Sequence, residues 1–353
     1  MEGDTLFKVY FFYRYYKMFI LRERGIIMKG YILQLLEESN DYISGEMMSQ
    51  RLGVSRTAIW KIIKQLREEG YEIHSGTNKG YRLLYSPDRV TKEEVQKYVD
   101  TSYMGKEFIY EEQMDSTNDY AKKLARQGAV EGTGVITEQQ TKGRGRMGRK
   151  WESPKGTGIW LSYILRPSIP PIDVPFITLL TGLAVCKAIQ IETGLDPKIK
   201  WPNDVVLGGK KVCGILTEMN AEMEQVHYVI VGIGMNVNTK EFADELDAMA
   251  TSLYLESKKK YERKKIVGQI CIQLEKYYES FKDINYRAQI LQEYKKYCIT
   301  IGKEVRVIRS HEELIGKAID LLPTGELVIQ SSSGVKKIVR SGEVSVRGIY
   351  GYC

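Results

Sequence analysis

Cysteine and histidine are scarce in this sequence, and the shortage removes whole classes of chemistry. The five cysteines (Cys186, Cys213, Cys271, Cys298 and Cys353) are scattered, odd in number and without a C-x-x-C pair. That argues against a disulfide framework or a zinc site, and reduced thiols in a cytoplasm are the expectation. The three histidines, His74, His227 and His311, lie far apart and complete neither a metal-ligand motif nor a Ser/His/Asp or Cys/His set. No uninterrupted apolar run approaches the roughly 20 residues of a membrane span. Residues 1–27 are crowded with aromatics such as Phe7, Tyr10, Phe11 and Phe12, but Lys8, Arg14, Lys17, Arg22 and Arg24 break them up. They also lack the clean apolar core and small-residue cleavage site of a secretory signal. We expect a non-native or poorly ordered extension there, with a membrane-surface anchor as the second reading.

What the chain has is charge interleaved with glycine. Five cations fall in nine residues of Lys142-Gly143-Arg144-Gly145-Arg146-Met147-Gly148-Arg149-Lys150, followed by Trp151, with no acidic residue among them. Glycines free backbone N–H groups to curl around an anion, and guanidinium groups add charge-assisted donors. Gly143, Gly145 and Gly148 satisfy G-x-G-x-x-G. A dinucleotide fold, however, needs a helix to start here, and Trp151-Glu152-Ser153-Pro154-Lys155-Gly156 is loop chemistry. A P-loop fails as well, because Arg149-Lys150 stand where Lys-Ser/Thr is required. The run reads as a phosphate-handling loop of another kind. The net charge of +7 agrees with acidic partners such as nucleotides or nucleic acid.

Three further segments carry chemistry. Asp115-Ser116-Thr117-Asn118 follows a strand-like run and opens a helix, so its hydroxyls and amide either hold a polar head group or cap the helix. Lys200-Trp201-Pro202-Asn203-Asp204 sets a cation, a rigid turn, an amide and a carboxylate together, a set suited to phosphate and hydrated Mg²⁺. The strand-like runs 210–218 and 232–238 bear Gly214, Gly232 and Gly234, where either a ligand approaches the backbone or a core strand simply contains glycine.

From Met28 the pattern is three helices and a hairpin. Ser44 and Ser55 are N-caps, Gly53 makes the turn between them, and Ile59, Ile62, Ile63 and Leu66 form one apolar face ended by Gly70. Two short runs, 71–73 and 80–84, are joined by Ser75-Gly76-Thr77-Asn78-Lys79. Together these make a winged helix-turn-helix. Its last helix presents Ser55, Arg56, Thr57, Trp60, Lys61 and Lys64, donors and a stacking group suited to a DNA major groove. A winged helix that binds protein instead of DNA is the alternative.

Strand runs at 108–110, 134–137, 159–165, 205–207, 212–216 and 226–233, separated by helices at 177–192 and 264–281, predict an α+β fold with a mixed central sheet, not a doubly wound one. Five short strands with tight turns follow over 304–348. We expect four parts: an extension (1–27), the winged helix (28–87), a central ligand-binding domain (88–300) and a small barrel-like domain (301–353).

In this order, Asp115-Ser116-Thr117-Asn118, the Gly/Arg loop, Lys200-Trp201-Pro202-Asn203-Asp204, Lys211-Val212-Cys213-Gly214-Ile215-Leu216 and Gly234-Met235-Asn236 resemble the biotin protein ligases. With the winged helix in front, the chain is similar to the bifunctional form that also represses the biotin operon. The resemblance implies a class II synthetase-like catalytic domain and an SH3-like C-terminal domain. It also implies formation of biotinyl-5′-AMP from biotin and ATP with Mg²⁺, and transfer of biotin to a lysine of a biotin carboxyl carrier protein. It assigns catalysis to Lys211, Arg146 and Arg144. It assigns biotin binding to Ser116, Thr117, Asn118, Gln140, Arg144, Gly145, Arg146, Lys211 and Gly214. Arg146, Arg149, Trp151, Asn203, Asn236 and Arg347 fall to the nucleotide, and Asp204 to the metal. The adenylate would act as corepressor, ordering residues 140–151 and favouring a homodimer on operator DNA. The alternatives are a ligase without repressor activity, a non-catalytic regulator, and a ligase for another acyl substrate such as lipoate.

Overall fold

The computed structural model describes residues 28–309, 312–341 and 345–348, so residues 1–27 lie outside the described part. The chain divides into two compact units, one ending at Pro87 and one beginning at Asp88.

In the first unit, α1 (residues 28–38) buries Ile32, Leu33, Leu35 and Leu36. Ser44 caps α2 (Gly45–Leu52) by accepting from the Met47 N–H, and Gly53 ends it in the left-handed conformation. Ser55 caps α3 (Arg56–Glu68), which buries Ile59, Ile62, Ile63 and Leu66. Each of these four contributes about 1.5–3 kcal/mol of burial. The wing is the antiparallel pair β1 (Glu72–Gly76) and β2 (Gly80–Tyr85). Arg67 ties the wing to α3 by donating to the Ile73 carbonyl at 2.9 Å. Gly80 has φ +106°, and a Cβ there would stand 2.1 Å from the Ile43 oxygen, so only glycine fits.

The second unit is built on a seven-stranded mixed sheet of order β3-β4-β5-β9-β8-β7-β6. Its strands are β3 (Phe108–Met114), β4 (Gly134–Gln140), β5 (Gly158–Leu165), β6 (Lys198–Lys200), β7 (Asp204–Leu207), β8 (Lys210–Ala221) and β9 (Val226–Asn236). Only β3 and β4 run parallel; the other neighbours are antiparallel. A short helix, α4 (Lys92–Gln96), precedes the sheet. One face carries α5 (Thr117–Arg126), with Ala121 and Ala125 against Val135, Ile164 and Ile230. The larger core cluster contains α6 (Val174–Thr193) and, beyond the short α7 (Asp244–Asp247) and α8 (Leu253–Ser257), α9 (Arg263–Lys282) and α10 (Ile284–Tyr297). All eight residues of β5 are buried, as a central strand covered on both faces requires. Among the described residues, one helical stretch is long and apolar enough to cross a membrane, Pro171–Thr193, and it is mostly buried as a core helix.

A five-stranded antiparallel sheet closes the chain, in the order β13-β12-β11-β10-β14. It comprises β10 (Glu304–Arg309), β11 (Glu312–Leu321), β12 (Leu327–Gln330), β13 (Lys336–Val339) and β14 (Ser345–Gly348). Its Val305, Val307, Leu327 and Ile329 join the core of the central sheet. The Trp201 indole N–H donates to the Gly325 carbonyl at 3.0 Å across that joint.

Candidate active site

The site is assembled where the ends of β4, β5, β8 and β9 meet the start of α5. Ser116 caps α5 through the Asp119 N–H, so the capping reading of this residue is what the structure displays. Thr117 and Asn118 follow it and are buried. The Gln140 side-chain Oε1 accepts from the Thr117 N–H at 2.9 Å and from its hydroxyl at 3.1 Å. The Gln140 amide donates to Ser153 at 2.8 Å. Asn118 donates to the Glu218 carboxylate at 2.8 Å and the Leu216 carbonyl at 3.2 Å. Its oxygen lies 2.6 Å from the Ser162 hydroxyl, which is also 2.7 Å from the Thr117 hydroxyl. These polar groups sit on a floor without side chains: a Cβ on Gly232 would be 2.2 Å from the Asn118 oxygen.

The Gly/Arg segment is a hairpin rather than an open coil. Gln140 faces Ser153, the Trp151 N–H reaches the Gly143 carbonyl at 2.9 Å, Arg144 bridges Lys150, and the Gly145 N–H reaches the Arg149 carbonyl at 2.7 Å. A tight turn over Arg146–Gly148 forms the tip. The three glycines therefore differ in purpose. Gly143 is fixed by packing, since a Cβ would meet the Trp151 carbonyl at 2.4 Å, and Gly148 by a φ of +72°. Gly145 is required by neither: its φ is −109° and nothing lies closer than 3.7 Å. The hairpin root is anchored by Asp115, which accepts from Lys142 at 2.9 Å and Thr141 at 2.5 Å. These bonds hold its carboxyl below the usual carboxylate range. Arg144 is exposed and ion-paired with Asp119.

Trp151 lies against the glycine floor. A Cβ on Gly234 would be 2.6 Å from its indole nitrogen, and one on Gly214, opposite Gly234 in the ladder, 3.2 Å from its ring. The Lys211 ammonium sits 5.1 Å from the centre of that ring and 2.6 Å from the Asp204 carboxylate. The buried indole N–H has no acceptor among the described residues. Arg146 turns inward, donating to the Asn203 side chain at 2.8 Å and to the Ser341 carbonyl, in the segment between β13 and β14. Burial pulls its pKa down and Asp204 opposes this; it remains a cation at neutral pH. Lys211, Arg146, Asn203, Asp204, Trp151 and Gly214 thus come together, while Arg149 is exposed at the hairpin tip.

Among the other assigned residues, Asn236 is engaged within the protein. The Asn236 amide is buried and donates to the Thr251 carbonyl at 3.1 Å. Arg347 lies on β14 opposite Arg306; its side chain is outside the described part. Asp204 has the Asn203 amide and a lysine for neighbours, and no three His, Cys, Asp or Glu side chains converge anywhere among the described residues. Such a set does not fit a resident metal ion.

In the first unit, Arg56, Thr57, Trp60, Lys61 and Lys64 are exposed on α3 or its edge, opposite the buried stripe, while Ser55 serves as its cap. Trp60 is 51% exposed, an unusual cost in water for so large a ring, and Lys64 lies 5.8 Å from its centre. Arg56 pairs with Glu46 at 2.7 Å.

Ser153, Ser162 and Glu218 line the candidate site and were not singled out by sequence reasoning, whereas Gly232 was. Ser162 carried a usable signal, a hydroxyl inside the otherwise apolar run Ile159-Trp160-Leu161-Ser162-Tyr163-Ile164-Leu165, where burial demands a polar partner.

Residues 110–236 match the Biotin/lipoate A/B protein ligase family, residues 30–82 an HTH domain, and residues 300–347 the Biotin protein ligase C terminal domain. The chain is 40% identical over 317 residues to the bifunctional ligase/repressor BirA of Bacillus subtilis, covering 89% of this chain and 97% of that protein. The Escherichia coli protein of the same name is 28% identical over 311 residues, covering 88% and 94% respectively. The Aquifex aeolicus biotin protein ligase in complex with biotin and ATP superposes with a TM-score of 0.61 at 32% identity, covering 69% of this chain and 99% of that one. With the glycine floor, the arginine hairpin and the amino-terminal helix-turn-helix in place, this chain belongs to the biotin protein ligase family.

Proposed function

We propose that the chain is an ATP-dependent biotin protein ligase that also acts as a biotin-responsive repressor in the cytoplasm. The biotin carboxylate attacks the α-phosphorus of ATP, forming an acyl–phosphate bond and releasing pyrophosphate. The amine of a carrier-protein lysine then attacks the acyl carbon, forming an amide and releasing AMP. The first step brings two anions together, so it needs fixed cations. Lys211 and Arg146 supply them from two sides, and Arg144 closes from the hairpin once its pairing with Asp119 is exchanged for ligand. Thr117, Asn118 and Gln140, with Ser116 at the helix start and Ser162 beneath, meet the donors and acceptors of a ureido ring. Gly145 and Gly214 let the ligand approach the backbone. Trp151 and Asn203 flank the nucleotide with Arg149 at the hairpin tip, and the family resemblance adds Asn236 and Arg347 to the nucleotide residues. ATP enters as its Mg²⁺ salt, with Asp204 beside the phosphates.

The observation that carries this reading is the Lys211 ammonium and the Trp151 ring packed on the paired Gly214 and Gly234, with the Arg146 guanidinium on Asn203 beside Asp204, the partner of Lys211. The test is incubation with labelled biotin, Mg-ATP and a biotin carboxyl carrier domain. Transfer is expected, and Lys211→Ala and Arg146→Ala should abolish most of it; transfer of lipoate instead, or indifference to both substitutions, contradicts the assignment. For the second role, the exposed cations of α3 contact operator DNA, and the adenylate promotes a homodimer. Gel shift and sedimentation with and without biotin and Mg-ATP test both points.

A further inference from the structure

Arg263 is among the largest fully buried side chains of the protein, and the reaction above makes no use of it. Its Nε donates to Asp88 at 2.9 Å, its backbone N–H to the other Asp88 oxygen at 2.8 Å, and Nη2 to the Asp88 carbonyl. Nη1 donates to Glu138 at 2.7 Å and to the Gly158 carbonyl at 3.1 Å. The second Glu138 oxygen accepts from the Val90 N–H at 2.9 Å. Asn238 reaches Asp88 at 3.4 Å and is tied by its own N–H to the Thr157 carbonyl at 2.7 Å.

The places joined are informative. Asp88 is the first residue of the second unit, directly after the segment that leads in from the helix-turn-helix. Glu138 is two residues before Gln140, and Gly158 opens β5 just after the arginine hairpin. Asn238 is two residues past the end of β9. One guanidinium therefore grips the root of the linker and both roots of the hairpin. Buried ion clusters add little net stability compared with apolar packing, and in some proteins their role is to hold a unique geometry. Burial raises the Asp88 pKa despite Arg263, so this carboxylate stays under a desolvation load.

We propose that the Asp88–Arg263–Glu138 cluster is a positioning element that couples occupancy of the ligase site to the linker at Asp88–Val90, and through it to DNA binding. This rests on the reading of the chain as a ligand-responsive repressor. When Gln140 and the hairpin engage ligand, Glu138 and Gly158 shift together, and Arg263 passes the shift to Asp88 and Val90.

The test is Asp88→Asn in the full chain. Asparagine keeps the size but offers one acceptor oxygen where Arg263 uses two. Biotin transfer to a carrier domain should stay within about threefold of wild type, whereas ligand-induced strengthening of operator binding, roughly 5- to 150-fold for typical coupled sites, should fall to about twofold or less. An unchanged gain would overturn the proposal. So would a loss of transfer in step with the gain, which marks a merely structural role. Hydrogen exchange on wild-type protein supplies a second arm: exchange at residues 88–90 should slow when biotin and Mg-ATP are added, and an unaltered rate there overturns the proposal. If wild type shows no ligand effect on operator binding, the repressor reading fails separately, and the exchange arm still decides whether the cluster senses the ligase site.

Discussion

Replacing Gly232 by alanine tests the proposed biotin pocket at its tightest point. The new methyl would lie 2.2 Å from the Asn118 oxygen and 2.9 Å from its side-chain carbon. Ordinary contact begins near 3.4 Å, so the amide must retreat by about 1 Å. It cannot do so and keep its bonds to Ser162 at 2.6 Å, Glu218 at 2.8 Å and the Leu216 carbonyl at 3.2 Å. A neutral hydrogen bond is worth about 0.5–1.5 kcal/mol and one to a carboxylate about 1.5–3 kcal/mol. A loss of about 2–4 kcal/mol is therefore expected at the pocket, or roughly 30- to 1,000-fold in biotin affinity. Titration calorimetry with biotin measures it. Gly182→Ala on α6 is the control, because its methyl meets nothing closer than 3.7 Å. That change should leave affinity unaltered and stabilise the helix by about 0.5–1 kcal/mol. A folded Gly232→Ala protein that binds biotin within about twofold of wild type would refute the reasoning.

Three other outcomes are expected. Lys211→Ala should slow single-turnover adenylate formation by roughly 10²–10³-fold, with biotin binding much less affected; equal losses in both would make Lys211 a binding residue only. Glu275 accepts from the N–H groups of Ser102, Tyr103 and Met104 at 2.7–2.9 Å. Burial raises its pKa, but the Met104, Ser102 and Tyr103 bonds outweigh it and hold the carboxyl below 4.5. A lowered folded-state pKa gives stability that is present above about pH 4.5 and lost as pH falls through the folded value. The stability difference between wild type and Glu275→Gln, followed by urea unfolding, should therefore shrink on acidification below that point; a difference that grew would reverse the assignment. Lys61→Ala should weaken operator binding and reduce the slope of log affinity against log salt by about 1, and an unchanged slope would place Lys61 away from phosphate.

Much of this architecture was legible in the chain. The helix-turn-helix announced itself because its caps and apolar stripe are local: Ser44, Gly53 and Ser55 act within three or four residues of where they stand. The main strands and both long helices were recognisable for the same reason, although α10 was not foreseen, its apolar signal being broken by charged and polar residues. The hairpin form of the arginine segment was hidden, because it depends on Gly143 meeting the Trp151 backbone and Gln140 meeting Ser153. From sequence the glycines suggest a backbone freed to curl around an anion. Two of the three are instead accounted for by a close contact and a left-handed turn. Glu218 was invisible as a site residue, and what Gly232 makes room for was hidden, because register alone brings them to Asn118, one hundred residues away or more. Asp204 was assigned to a metal from its neighbours in sequence; the partner the fold gives it is Lys211, delivered across the β7–β8 ladder.

The most direct measurement is a crystal structure of the protein grown with a non-hydrolysable biotinyl-adenylate. The acyl–phosphate linkage should lie within hydrogen-bonding reach of Lys211 and Arg146, with the ureido ring against Thr117, Asn118 and Gln140. A ligand bound elsewhere, with those cations still paired to Asp204 and Asn203, would contradict the assignment of this site.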